Sequence, residues 1–206
     1  MLLRYTSLVV LSVSFCLQAE TLGVYLDKPL SGPAQSSFRN ELHNILKETG
    51  VSVELRSLKD RKAGESFDRL MVVQLRGACD AIESPATVRA AGPLASTQVD
   101  GGRILPYTEI FCDRLRLTLG AAFDREPLYR RNTLAGRAMA RILAHEIYHL
   151  LAQEKRHAVG GVAKNCLGSR ELMSEVFEFD HPTLAKLQVV AESGPEFIET
   201  EEAAGR

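Results

Sequence analysis

The chain has 206 residues, with 25 Lys and Arg set against 26 Asp and Glu, for a formal net charge of −1. It has no Trp and no basic excess, and its cations are spread among acids, so the composition gives no footing for a nucleic-acid partner. The length suits one domain around one core.

MLLRYTSLVVLSVSFCLQAE carries one cation, Arg4, then an uncharged apolar run from Leu8 to Leu17. With the small Ala19 before the first acid, this layout predicts a secretory signal peptide over residues 1–19, and the run is too short to span a membrane as a helix. The alternative is a retained N-terminal anchor, because Leu17 stands where the cleavage site prefers a small residue. The expected product is exported, either periplasmic or secreted, with no transmembrane span after cleavage.

TLGVYLD (Thr21 to Asp27) reads as a first strand. In SGPAQSSFRNELHNILKETG, Phe38, Leu42, Ile45 and Leu46 fall on one helical face, with Pro33 near the start and Gly50 just past the end. VSVELR alternates as a strand does, and the charged stretch from Ser57 to Asp68 reads as a loop. LMVVQLRG is a near-continuous apolar run, which predicts a strand buried on both faces. Ala81 to Gly102 is rich in Pro, Gly, Ser and Ala and predicts a long surface loop. ILPYTEIFCDRL (Ile104 to Leu115) predicts a further strand, with Pro106 arguing for a sheet edge, and a turn or short helix follows at DRLRLTLG.

A long helix is expected from about Asn132 to Ala152, capped by Asn132 or Thr133. Gly136, Ala140, Leu143, Ile147 and Leu150 form one apolar stripe, expected to face the sheet; Ala138, Ile142, His145 and His149 form a second, turned away from it. The end of the chain, residues 192–206, is acidic and reads as a solvated tail. Between leader and tail, residues 20–191 form one α+β domain. It has a small mixed sheet with an antiparallel edge strand, an N-terminal helix and a second helix bearing the site.

Beyond the leader, three cysteines remain. Cys79 and Cys112 each end a strand-like run, VVQLRGAC and PYTEIFC, so adjacent strands would let them pair; free buried thiols are the alternative. Cys166 is left over, with zinc ligation as a lesser option.

HEIYH, His145 to His149, holds the chemistry. On a helix the two His rings project from one face about a turn apart, and that lets both reach one tetrahedral ion at Zn–N distances of about 2.0–2.1 Å. Glu146 follows the first ligand and sits at the flank of that face, where it can move a proton. The bland alternative is a surface helix with these side chains in solvent, but RILA before the motif and LLA after it are too apolar for that.

An H-E-x-x-H helix after a small mixed sheet resembles the zincin metallopeptidases, over roughly Thr21 to Ala152. The resemblance implies a Zn²⁺ cofactor, Glu146 as general base, and a peptide or protein substrate paired against an edge strand, here LPYTEIF. The metzincin branch, H-E-x-x-H-x-x-G-x-x-H, is nearest, but Ala152 stands at its glycine and Lys155 at its third His. His157, two residues on, is the expected third ligand, with Gly160 and Gly161 beyond it, and Met173 is a candidate for the methionine that metzincins place beneath the metal, with a plain core residue as the alternative. The gluzincin pattern points instead to Glu171 or Glu175, and His181 stays open, although its place before Pro182 reads as a turn. His43 reads as a solvent residue. Tyr148 and Tyr107 are candidates for stabilising an oxyanion. Two rival readings accompany the peptidase: a zinc-binding domain that cleaves nothing, and an exported interaction domain with a fortuitous motif.

Overall fold

The computed structural model describes residues 19–79 and 92–194. Most of the expected signal peptide, the first half of the expected long loop and most of the acidic tail therefore lie outside the described residues.

Strand β1 (Glu20–Leu26) is buried along almost its whole length. Helix α1 (Gly32–Leu46) follows, with Pro33 in its first turn and Ala34, Phe38, Leu42, Ile45 and Leu46 forming its buried face. A proline at that position costs no hydrogen bond and starts the helix at a suitable φ. Strands β2 (Val51–Ser57) and β3 (Arg69–Arg76) come next. Then come β4 (Ala95–Asp100), β5 (Arg103–Phe111) and helix α2 (Cys112–Asp124). Helix α3 (Leu128–Ala152), a short α4 (Ser169–Met173) and α5 (His181–Ser193) complete the order.

The sheet runs β2-β1-β3-β5-β4, parallel throughout except for β4, which is antiparallel to β5. The expected α+β class with an antiparallel edge strand is observed, but the edge is a different strand. LPYTEIF lies in β5, which is an inner strand between β3 and β4. The edge is β4, inside the stretch expected to be loop. Residues Gly101 and Gly102, both at positive φ (53° and 88°), make the two-residue turn from Asp100 to its partner Arg103. A tight hairpin turn of this kind needs positive φ at both central positions, which only Gly adopts at little cost. Pro106 is tolerated in an inner strand because it falls where the β4–β5 register shifts, between the pairs Thr97–Thr108 and Val99–Ile104, and just before pairing with β3 begins at Tyr107.

Strand β3 is not buried on both faces as expected. Met71, Val73 and Leu75 are inside, whereas Leu70 is 44% exposed. One face of the sheet carries the core; the other is only partly covered, by the segment around Phe67, whose ring meets Tyr25 edge-on at 6.1 Å. The disulfide Cys79–Cys112 forms as expected, with Cα atoms 4.9 Å apart. The β5 strand stops at Phe111, short of the expected Leu115, because Cys112 already opens α2.

Helix α3 starts a turn earlier than expected. Pro127 is its N-cap residue, Asn132 is buried inside the helix, and the Thr133 hydroxyl bonds back to the Tyr129 carbonyl. From Leu134 to Leu151 the helix is buried on nearly every side, so its two apolar stripes both meet protein. Gly136 does not face the sheet. It faces α1, so close that a Cβ there would lie 2.2 Å from the Ala34 carbonyl oxygen. Gly136→Ala gains helix propensity of about 1 kcal/mol. It also forces two packed backbones apart, at about 1–3 kcal/mol for an overfilled core and more where backbone is struck. The expected result is a melting temperature several degrees below wild type, read by thermal denaturation; an unchanged or higher one would mean the helices do not meet this closely.

Candidate metal centre and cleft

The last two turns of α3 bring His145, Glu146 and His149 to one side of a cleft of about 500 Å³, all three buried. The cleft runs between α3, the edge strand β4 and the loop after α3, and Leu94, Val99, Ile104, Ile142 and Leu167 give it apolar walls.

Two backbone carbonyls fix the imidazoles. His145 Nδ1 lies 2.8 Å from the Val162 carbonyl oxygen, and His149 Nδ1 lies 2.7 Å from that of Glu154. A carbonyl oxygen only accepts, so each Nδ1 carries the ring proton and each Nε2 is left with a bare lone pair. Those two Nε2 atoms face each other at 3.1 Å. Burial is the main reason the His145 pKa falls to about 4, with the neighbouring rings of His149 and His157 adding to it against the pull of the Val162 carbonyl. In the neutral rings this arrangement points one Nε2 lone pair at the other. Two lone pairs held nose to nose repel unless a cation lies between them. Two nitrogens on one tetrahedral zinc stand roughly 3.3 Å apart, given Zn–N bonds of about 2.0–2.1 Å. The donor set therefore fits a metal of that kind.

His157 joins them. Its ring stacks on His145 at 5.2 Å and meets His149 edge-on at 4.9 Å, and the ligand atoms of the three residues all lie within 4.8 Å of one another. Burial lowers its pKa as well, with His149 adding to the effect. Among the described residues, no other group of His, Cys, Asp or Glu converges in this way. Glu171 is committed elsewhere: Lys164 pairs with it and lowers its pKa, and it accepts the Gly168 N–H at 3.0 Å at the start of α4. Glu175 is exposed, and His181 is the exposed first residue of α5, behind its cap Asp180, rather than a turn residue. Met173 packs on the core and does not line the cleft. Cys166 lines the cleft as a free, exposed thiol outside the converging group. His43 is exposed on α1, as expected.

The turn that delivers His157 uses a residue the sequence did not single out. Gln153 ends α3 in the left-handed region (φ 49°, ψ 37°), the only non-glycine at positive φ among the described residues. Such a backbone costs of order 1 kcal/mol or more without Gly. Its amide offsets this by gripping one residue of β5 twice: Oε1 accepts the Ile104 N–H, and Nε2 donates to the Ile104 carbonyl, each at 3.2 Å. Tyr148 holds the next stretch, its hydroxyl lying against the Glu154 carboxylate and 2.8 Å from the Arg156 carbonyl. Burial, then Glu154, pushes that phenol's pKa well above its usual range. Tyr148 thus shapes the loop and has no hydroxyl to spare for an oxyanion. Tyr107 alternates with Thr108 along β5 and so points to the other face from the cleft.

Glu146 is 7% exposed and lines the same cleft. Its Oε2 accepts the Thr97 hydroxyl at 2.6 Å. Burial raises the carboxyl's pKa, with the Thr97 hydrogen bond opposing it. Thr97 also escaped the sequence reading, because it lies on β4 in the expected loop.

The sequence matches no family model and no curated protein. The fold is similar to that of archaemetzincin from Methanopyrus kandleri, with a TM-score of 0.50 over 84% of this chain and 96% of that one. The two are 13% identical, so the likeness is one of fold.

Proposed function

We propose that this chain is an exported zinc-dependent peptidase of zincin type. The observation that carries the reading is the pair of Nε2 atoms facing each other at 3.1 Å, with His157 closing the group and Glu146 in the same cleft. The archaemetzincin-like fold and the HEIYH motif support it. The Cys79–Cys112 disulfide supports export, since such bonds persist in oxidising compartments.

His145, His149 and His157 would hold the zinc, which supplies a Lewis acid to water and to the scissile carbonyl. Glu146 takes the proton of the attacking water and returns it to the leaving amine. Among the described residues β4 has no strand on its outer side, where an extended peptide would pair with it, and the apolar walls take the peptide's side chains. This role belongs to β4 and not to the Tyr107 to Phe111 segment.

The test is the metal content of the purified chain, with His157→Ala beside wild type. About one zinc per wild-type chain is expected, with affinity at least about tenfold lower in the variant, since even an outer partner of a ligand costs that much. Equal zinc in both would remove His157 from the set. Wild type that takes up no zinc when it is offered would sink the reading and leave an exported binding domain.

A further inference from the structure

The edge strand does more than border the cleft. Thr97 of β4 and Thr108 of β5 stand directly opposite each other in the sheet, with their hydroxyl oxygens 3.0 Å apart. The Thr97 oxygen is also 2.6 Å from Glu146 Oε2. The direction of these bonds follows from donor counting. An ionised carboxylate only accepts, and a threonine hydroxyl has one hydrogen. Thr97 therefore donates to Glu146, and Thr108, itself fully buried, donates to Thr97. The result is a one-way chain, Thr108 to Thr97 to Glu146, laid down by a register pair that lies just beyond the shift following the hairpin turn at Gly101 and Gly102.

We propose that Thr97 is a positioning residue for the general base, a role that rests on the peptidase reading above. Of the three residues that define the motif, Glu146 alone would have no metal to hold it in place. Its side chain has several rotatable bonds, and a base must stand within hydrogen-bond reach of its proton to work. Thr97 pins Oε2, which leaves Oε1 to take the proton from water. Threonine suits the task because its β-branch restricts χ1 and favours strand backbone, so the hydroxyl is aimed before substrate arrives. Thr108 removes the remaining freedom by occupying the lone pair that Thr97 would otherwise turn toward another donor. The same strand whose outer edge would receive the peptide thus sets the carboxylate that takes the proton of the attacking water, which couples the position of substrate to that of the base.

The experiment compares Thr97→Val and Thr97→Ser with wild type, all zinc-loaded, on a peptide that wild type cleaves. Valine keeps the shape and branching and loses only the hydroxyl; serine keeps the hydroxyl. In Thr97→Val, kcat should fall about 10- to 100-fold, the range for a lost hydrogen bond to a charged group. KM and zinc content should hold, and Thr97→Ser should stay within about threefold of wild type. Crystal structures give a readout apart from activity: the Glu146 carboxylate should occupy one position in wild type and Thr97→Ser, and more than one in Thr97→Val. Wild-type kcat in Thr97→Val would overturn the proposal while leaving the peptidase reading intact. An equal loss in both variants would also overturn it, since that marks a packing role. A zinc-loaded wild type that cleaves no peptide would overturn the peptidase reading, and this proposal with it.

Discussion

Zinc-loaded Glu146→Gln is expected to keep its metal and to hydrolyse peptide about 10²- to 10⁴-fold more slowly than wild type, the range for loss of a positioned general base. The substitution is close to isosteric. Glutamine retains a carbonyl oxygen for the Thr97 hydroxyl, which now stands 2.6 Å from Oε2, so the side chain has reason to stay where it is. What it loses is the ability to take a proton. The three imidazoles owe their geometry to the Val162 and Glu154 carbonyls and to the turn at Gln153, none of which touches Glu146. Elemental analysis and kcat on one substrate decide the matter together. Zinc retained with activity lost fits a catalytic Glu146. Zinc retained with activity unchanged would mean the glutamate is no base, and zinc lost would mean that it helps to build the site. The same comparison separates a peptidase from a zinc-binding domain that cleaves nothing, because the second has no activity to lose.

The sequence carried the parts of this fold that depend on burial. Phe38, Leu42, Ile45 and Leu46 announce α1 because one helical face must be apolar to pack, and all four are buried. HEIYH announces the site because ligand chemistry admits few residue types at one-turn spacing. Strand β4 was missed for the opposite reason. An edge strand facing solvent and a cleft has little apolar area to bury, and of Ala95–Asp100 only Ala95 is inside. The one signal present was the Gly101-Gly102 pair ahead of an alternating run, which is hairpin chemistry. That miss also moved the edge onto β5 and hid Thr97. The third histidine was legible as a residue and not as a contact, since its arrival depends on Gln153 turning left-handed. No local preference of glutamine predicts such a turn; the grip on Ile104 makes it affordable, and that grip spans distant parts of the chain. Arg141 was passed over for a similar reason. An arginine among apolar residues reads as one more solvated cation until its partners are known.

Arg141 carries the other large effect, and it concerns stability. It sits on α3 one turn before His145, and its side chain is 0% exposed. Its guanidinium lies 2.6 Å from Glu41 Oε1 on α1, donates to the Ser174 hydroxyl at 2.8 Å, reaches the Glu171 carbonyl, and has the Phe177 ring 5.1 Å away. Burial pulls its pKa below the ordinary arginine value and Glu41 pulls the other way, so the charge is held at a cost that its partners offset. Arg141→Met keeps much of the volume and removes all of those partners. Glu41 is then left mostly buried, with only the looser Arg137 contact at 3.7 Å. Breaking a buried pair from one side costs about 3–5 kcal/mol, or roughly 6–20 °C of melting temperature for a chain of this size. Replacing both partners, as in Glu41→Leu with Arg141→Met, should recover much of that loss, because no unpaired charge then remains and apolar replacement of a buried pair is often neutral or better. If the single variant melts with wild type, the guanidinium is not buried as the geometry has it. If the double variant melts no higher than the single, the loss comes from the severed contacts to Glu171 and Ser174, and the ion pair itself is not what joins α1 to the helix that bears the site.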